Sequence, residues 1–229
     1  MPIPLMSSRP SGFGSDSINC SQISFVKRDN RQPVSNPVRI EPRSEQNCPW
    51  YLRPFFWNQR RKYGKVLEAA LLWACSPKLF LGVATLYGMI DRRSSPIESA
   101  LRSLVTVRVS QLNGCAFCVD LNSATLLRRG ASIEKLTALS HWRQSALFDD
   151  RERAALDYAE AMTLSGAGVN EPHISALRRN FADDAIVELT GLVAFQNLSS
   201  KFNAALGVPA QGFCELPGAQ QANTNHGQP

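Results

Sequence analysis

The chain has 229 residues, 44% of them hydrophobic and 19% charged, with a net charge of +6. This length supports one domain, or two small ones, with a core that needs no disulfide staples. Residues 1–66 hold eleven Lys and Arg against four Asp and Glu, whereas residues 67–229 hold fourteen against fifteen. The positive charge therefore belongs to the N-terminal part, and the remainder has no basic excess to argue for nucleic acid. Six cysteines, four of them scattered singly, do not form a small secreted framework, so a reducing cytoplasm is the expected setting.

Residues 1–46 are rich in Ser, Pro, Asn and Arg and lack periodicity, which predicts a disordered basic tail. No apolar signal core precedes a small-residue cleavage site, and no amphipathic transit helix is visible. The segment "CPWYLRPFFWNQRRKYG" gathers aromatics before a basic run and reads as a strap packed on the domain or on a second subunit. "LEAALLWACSPKLFLGVATLYGMI" is long enough for a bilayer, but Glu68 and Pro77-Lys78 interrupt it. It reads as two short helices, with Ser76 capping the second and Pro77 at its first position.

"SSPIESALRSLVTVRVSQLNG" predicts a helix with Ser95 as N-cap, Pro96 first and Glu98 completing a capping box. Ile97, Leu101, Leu104, Val105 and Leu112 mark its apolar face, and Asn113-Gly114 ends it. A second helix is expected from Cys115 to Arg129, with Gly130 after it. Ser132 caps a helix over 133–140, Asp149 or Asp150 caps the next, and Pro172 opens another. The last spans about 183–206 and is apolar nearly all round, which predicts burial, in part between subunits. The fold class is all-α. The domain is expected over 47–217, with a disordered C-terminal tail over 218–229.

Cys115 and Cys118 are three apart on a helix and share a face. Unpartnered backbone N–H groups in the first turn, together with the helix dipole, favour a thiolate there, most of all at Cys115. A structural zinc site would need two more ligands. His141, His173 and His226 stand singly, and no second C-x-x-C follows. Spacing alone leaves a redox dithiol and a pair of inert buried thiols both open. His141 reads as a partner for a helix C-terminus, and Asn197 and Asn203 as satisfied core amides.

"LRSLVTVRVSQLNGCAFCVDLNSATLLRRG", followed by "HWRQSALFDDRERAALDYAEAMT", resembles the AhpD-like, carboxymuconolactone decarboxylase family over about residues 97–206. The resemblance implies an all-α homo-oligomer, a trimer or hexamer. In its peroxidase branch the second Cys attacks a hydroperoxide and the first resolves, which would make Cys118 peroxidatic. That branch also carries a Glu twelve residues before the first Cys and a His four residues after the second. Those positions hold Ser103 and Asn122 here. Neither titrates near neutral pH, so the proton relay is altered. Asp120 points away from Cys118 around the helix and is a poor substitute base.

The expected activity is peroxiredoxin-type hydroperoxide reduction or thiol–disulfide transfer, reset by an external dithiol reductant. No metal or organic cofactor is needed, and no membrane is implied. The contrasting reading is a non-enzymatic scaffold or partner-binding protein that kept the fold.

Overall fold

In the computed structural model of the protein the described residues are 17–19, 38–166 and 168–218. Among them are nine α-helices: α1 Arg53–Tyr63, α2 Glu68–Trp73, α3 Pro77–Ile90, α4 Ser99–Leu112, α5 Ala116–Arg128, α6 Ile133–Ala138, α7 Asp150–Thr163, α8 Glu171–Asn180 and α9 Asp183–Ala205. The fold is all-α and AhpD-like, with one small addition. Strand β1 (Ser17–Asn19) pairs antiparallel with β2 (Glu215–Gly218).

Helix α4 is the hub. It packs against α5, α7 and α9, and its face of Leu101, Leu104, Val105 and Val109 sits in the main core with Leu156, Leu189 and Val193. A second apolar cluster lies between α1, α2, α3 and the start of α5, and it includes Phe56, Trp73, Phe80 and both Cys115 and Cys118. Each large apolar side chain taken from water in these clusters is worth about 1.5–3 kcal/mol.

Most element starts follow local chemistry. Ser132 accepts from Lys135 N, and Asp149 forms a capping box with Glu152. Pro77 opens α3 behind Ser76, although the Ser76 side chain makes no cap bond. Ser95 does not cap α4. Its hydroxyl donates to Glu188 of α9 at 2.7 Å, and the helix begins four residues later at Ser99. A tertiary acceptor has taken the group that local pattern assigns to the cap. The helix after Ser132 is also shorter than expected, because residues Leu139–Gln144 tighten into a 3₁₀ turn.

Residues 38–46, expected in the disordered tail, are docked on the domain. Arg39 donates its backbone N–H to Leu206 O and its guanidinium to Ala205 O, both at 3.0 Å, and Glu45 pairs with Arg60 at 2.6 Å. Ser17–Asn19 and Gly218 likewise lie in the β-ribbon rather than in tails. The rest of 1–37 and of 218–229 lies outside the described residues. Among the described residues no helix is long and apolar enough to cross a membrane. Helix α3 instead lies on the surface with Leu79, Leu86 and Met89 exposed.

Candidate active site

The turn from α4 into α5 is built by Gly114. Its φ of +66° is left-handed, a conformation that costs glycine little. Gly114 N–H then bonds Gln111 O, and Cys115 N–H bonds Ser110 O, closing a Schellman motif. This fixes Cys115 as the N-cap of α5, one position outside the helix expected from it. Its sulfur accepts the Cys118 N–H at 3.1 Å, so that sulfur does the work of a capping Ser or Asp oxygen. The two cysteines are joined as a disulfide, their Cα atoms 5.2 Å apart and their residues 1% and 3% exposed.

Cys118 lines a cavity of about 420 Å³ between α1, α2, α3, α5 and α9. Its walls are mainly apolar and include Phe55, Trp73, Phe80, Phe117 and Phe195. Polar groups reach it from α9 and α5: Gln196, Asn203 and Asn122. Asn203, 2% exposed, donates from Nδ2 to Cys118 Sγ at 3.3 Å, while its Oδ1 has no partner. The end of α9 is held in place by Trp73, which stacks on Phe202 with ring centroids 3.5 Å apart. A second Schellman motif, with Gly207 at φ +71°, ties Val208 N–H to Asn203 O.

Asn122 faces the same cavity one turn beyond Cys118. Its Nδ2 donates to Ser110 Oγ at 3.2 Å, and Ser110 also accepts from Gln196 Nε2 at 2.9 Å. Ser103 is buried, but its hydroxyl accepts from Arg129 at 2.9 Å instead of facing the cavity. Arg129 in turn grips both carboxylate oxygens of Asp91 at 2.7 and 2.8 Å. Burial would raise the Asp91 pKa, but Arg129 and then Arg102 outweigh it and hold the carboxyl below its ordinary range. The two positions of the family relay therefore belong to different polar networks.

Asp120 has a structural task. Fully buried, it accepts Gln211 N–H and Cys214 N–H at 2.7 and 2.8 Å, clamping the C-terminal segment. His141 is exposed, with Nδ1 2.8 Å from Ser140 Oγ. Asn197 behaves as a core amide, donating to Thr163 Oγ1 and Val193 O. Among the described residues no three His, Cys, Asp or Glu gather as metal ligands would.

The carboxymuconolactone decarboxylase family pattern matches residues 77–161. Protein YnjA of Escherichia coli strain K12 is 43% identical over 169 residues, 74% of this chain and 93% of the relative. The chain belongs to the carboxymuconolactone decarboxylase family, in its AhpD-like form. The family fold is also seen in a peroxidase-related AhpD-core protein from Ralstonia eutropha JMP134. That structure has TM-score 0.70, 23% identity, and coverage of 78% of this chain and 95% of that one. Protein ATU0492 of Agrobacterium tumefaciens has TM-score 0.58 at 28% identity, covering 61% of this chain and 94% of its own. Ser110, Gln196 and Asn203 lay outside the sequence reading of the site. No spacing in the sequence marks Ser110, which enters the site through its hydrogen bonds with Asn122 and Gln196.

Proposed function

We propose that the protein reduces a hydroperoxide through the Cys115–Cys118 dithiol, with Cys118 attacking and Cys115 resolving. The observation that carries this reading is the position of Cys118. It lines the cavity, and Asn203 aims a hydrogen-bond donor at its sulfur. A donor to sulfur stabilises the thiolate over the thiol.

The Cys118 thiolate attacks the distal peroxide oxygen. The O–O bond breaks, the alkoxide leaves and takes a proton, and Cys118 becomes a sulfenic acid. The Cys115 sulfur then attacks Cys118, expelling the hydroxyl, which leaves as water with the Cys115 proton. The disulfide has formed, and its two electrons have reduced the peroxide. An external dithiol resets it by attacking Cys118 from the cavity. The departing sulfur is then Cys115 at the helix N-cap, where the backbone N–H of Cys118 and the helix dipole stabilise a thiolate. A better-stabilised leaving thiolate departs faster. The dipole thus bears on resolution and reset, and the Asn203 donor on attack. With Ser103 and Asn122 in the relay positions, solvent in the cavity carries the protons, at a rate below that of a tuned base.

The exposed apolar face supports assembly with copies of the same chain, as the family resemblance implies. Val187 and Met89 are 70% and 63% exposed, and Leu86 and Leu198 complete one patch across α3 and α9. A pair that cycles between dithiol and disulfide suits the reducing cytoplasm. The folded unit on this reading runs over about 38–218, with the Ser17–Asn19 strand paired onto its end. The deciding experiment follows peroxide loss and alcohol formation by the pre-reduced protein, with a small dithiol as donor. Stoichiometric disulfide formation with turnover is expected. Intact thiols after exposure to peroxide would favour the scaffold reading.

A further inference from the structure

The cavity beside Cys118 has an uneven charge distribution. Of its lining residues, Lys62 alone carries a formal charge, and no carboxylate lines it. Lys62 does not stand alone at the rim. Tyr63 has Lys62 Nζ 5.1 Å and the Arg128 guanidinium 5.9 Å from its ring centre. Its ring also meets Phe213 at 5.8 Å, and Lys65 lies 4.9 Å over that second ring. Lys62 thus lines the cavity, Arg128 flanks the lining residue Tyr63, and Lys65 lies one ring further out. None of the three is ion-paired with a carboxylate of the described residues, whereas Arg60, Arg102 and Arg129 nearby all are.

The inner end has the opposite need. Asn203 is buried, meets Cys118 with its amide nitrogen, and leaves Oδ1 unpartnered. A buried acceptor without a partner favours a ligand that brings a donor to it.

We propose that this cavity selects an amphipathic monoanion. Its carboxylate rests at the Lys62–Arg128 rim, its apolar body lies among the aromatic walls, and a hydroxyl-type donor reaches Asn203 Oδ1. Such pockets bind by apolar burial and are made selective by a few convergent polar groups. The inference rests on the hydroperoxide reading, of which it names the substrate class. The O–OH group of a carboxylate-bearing hydroperoxide supplies the inner donor, and its distal oxygen then meets Cys118.

Binding can be tested without any peroxide. Oxidised full-length protein is titrated calorimetrically at low salt with two matched pairs: octanoate against octan-1-ol, and 4-phenylbutyrate against 4-phenylbutan-1-ol. The two bodies distinguish a linear from an aromatic ligand, and each pair sets a carboxylate against a neutral hydroxyl that can still reach Asn203 Oδ1. The acid of at least one pair should bind roughly three- to tenfold tighter than its alcohol, with the gap shrinking as salt rises. Lys62→Glu with Arg128→Glu should abolish or reverse that preference, leaving alcohol binding within about twofold. Ala84→Phe, which fills the cavity from α3, should weaken both members of a pair. Equal affinity for acid and alcohol, preference surviving the double charge reversal, or no binding by either pair would each overturn the proposal. Loss of peroxide turnover with an intact acid preference would instead count against the peroxidase reading alone.

Discussion

Asn203 and Cys118 stand 85 residues apart in the chain, and the amide of one donates to the sulfur of the other across 3.3 Å. The contact ties the end of α9 to the first turn of α5 and gives Cys118 a donor that the helix backbone does not. Hydrogen bonds to charged groups are worth about 1.5–3 kcal/mol. Asn203→Leu should therefore leave the Cys118 thiolate less stabilised relative to the thiol. The alkylation rate of reduced protein at neutral pH should drop about tenfold in step. A pH series of iodoacetamide alkylation, read by mass spectrometry at Cys118, checks this. An unchanged profile in a folded variant would remove Asn203 from the site.

The roles of the two cysteines separate on single substitution. Mild peroxide should remove two hydrogens from the wild-type protein, between Cys115 and Cys118. Cys115→Ser should halt at a sulfenic acid on Cys118, which dimedone traps. Cys118→Ser should consume no peroxide. A trapped sulfenic acid on Cys115 instead would reverse the assignment and return the dipole argument to the attacking step. Cys48 is buried, and its burial pushes that thiol up, so it should stay reduced throughout.

Restoring the family relay should work at one position and not at the other. Asn122 faces the cavity beside Cys118, so Asn122→His introduces a titrating base there. Peroxide consumption should rise, within the range of about 10²–10⁴-fold for general acid–base catalysis. The gain should fade below about pH 6.5, where the ring is already protonated. Ser103→Glu should add little, because Arg129 already occupies that hydroxyl and would pair with the new carboxylate. A large extra gain in the double variant would mean that the residue at 103 can swing toward the cavity.

Glu160 sets an acid limit on the fold. It is 5% exposed and accepts from Arg108 Nε at 2.6 Å, Trp142 Nε1 at 2.9 Å and also Arg143. Burial raises its pKa, but Trp142 and the two arginines outweigh burial and leave it below its ordinary 4.5. A depressed carboxylate contributes stability above its unfolded pKa and loses it as pH falls through the folded one. Glu160→Gln should cost ~3 kcal/mol at pH 7, since Arg108 stays buried without its counter-charge. The gap between variant and wild type should narrow below pH 4.5. Denaturant melts at pH 7 and below pH 4 test both statements, and a pH-independent gap would refute the linkage.

The apolar patch on α3 and α9 predicts self-association. Leu86→Lys with Val187→Lys should lower the mass seen by light scattering to that of one chain. Neither residue packs in the core, so helicity should persist. A wild-type chain that is already monomeric would refute the assembly.

Much of the fold was legible because local chemistry decides it. Ser132 and Asp149 cap where they stand, Gly114 and Gly207 end helices with left-handed turns, and 3.6-residue periodicity marks the buried faces. The failures share a cause. Ser95 looks like a cap, but Glu188, 93 residues away, takes its hydroxyl. Residues 38–46 carry no periodicity, yet Arg39 finds the carbonyls at the end of α9.

The all-α class, the helix order and the i, i+3 cysteine pair at the start of a helix are all written in local sequence. Each rests on residues within one or two turns of one another, where backbone geometry fixes the distance. Tertiary structure alone decided which sulfur faces the cavity, that Asn203 rather than Asn197 meets it, and that Ser103 turns to Arg129 while Asn122 turns to Ser110. Those outcomes depend on side chains brought together from separate helices. A buried polar group takes whichever partner packing leaves within hydrogen-bond reach, and no local spacing encodes that choice.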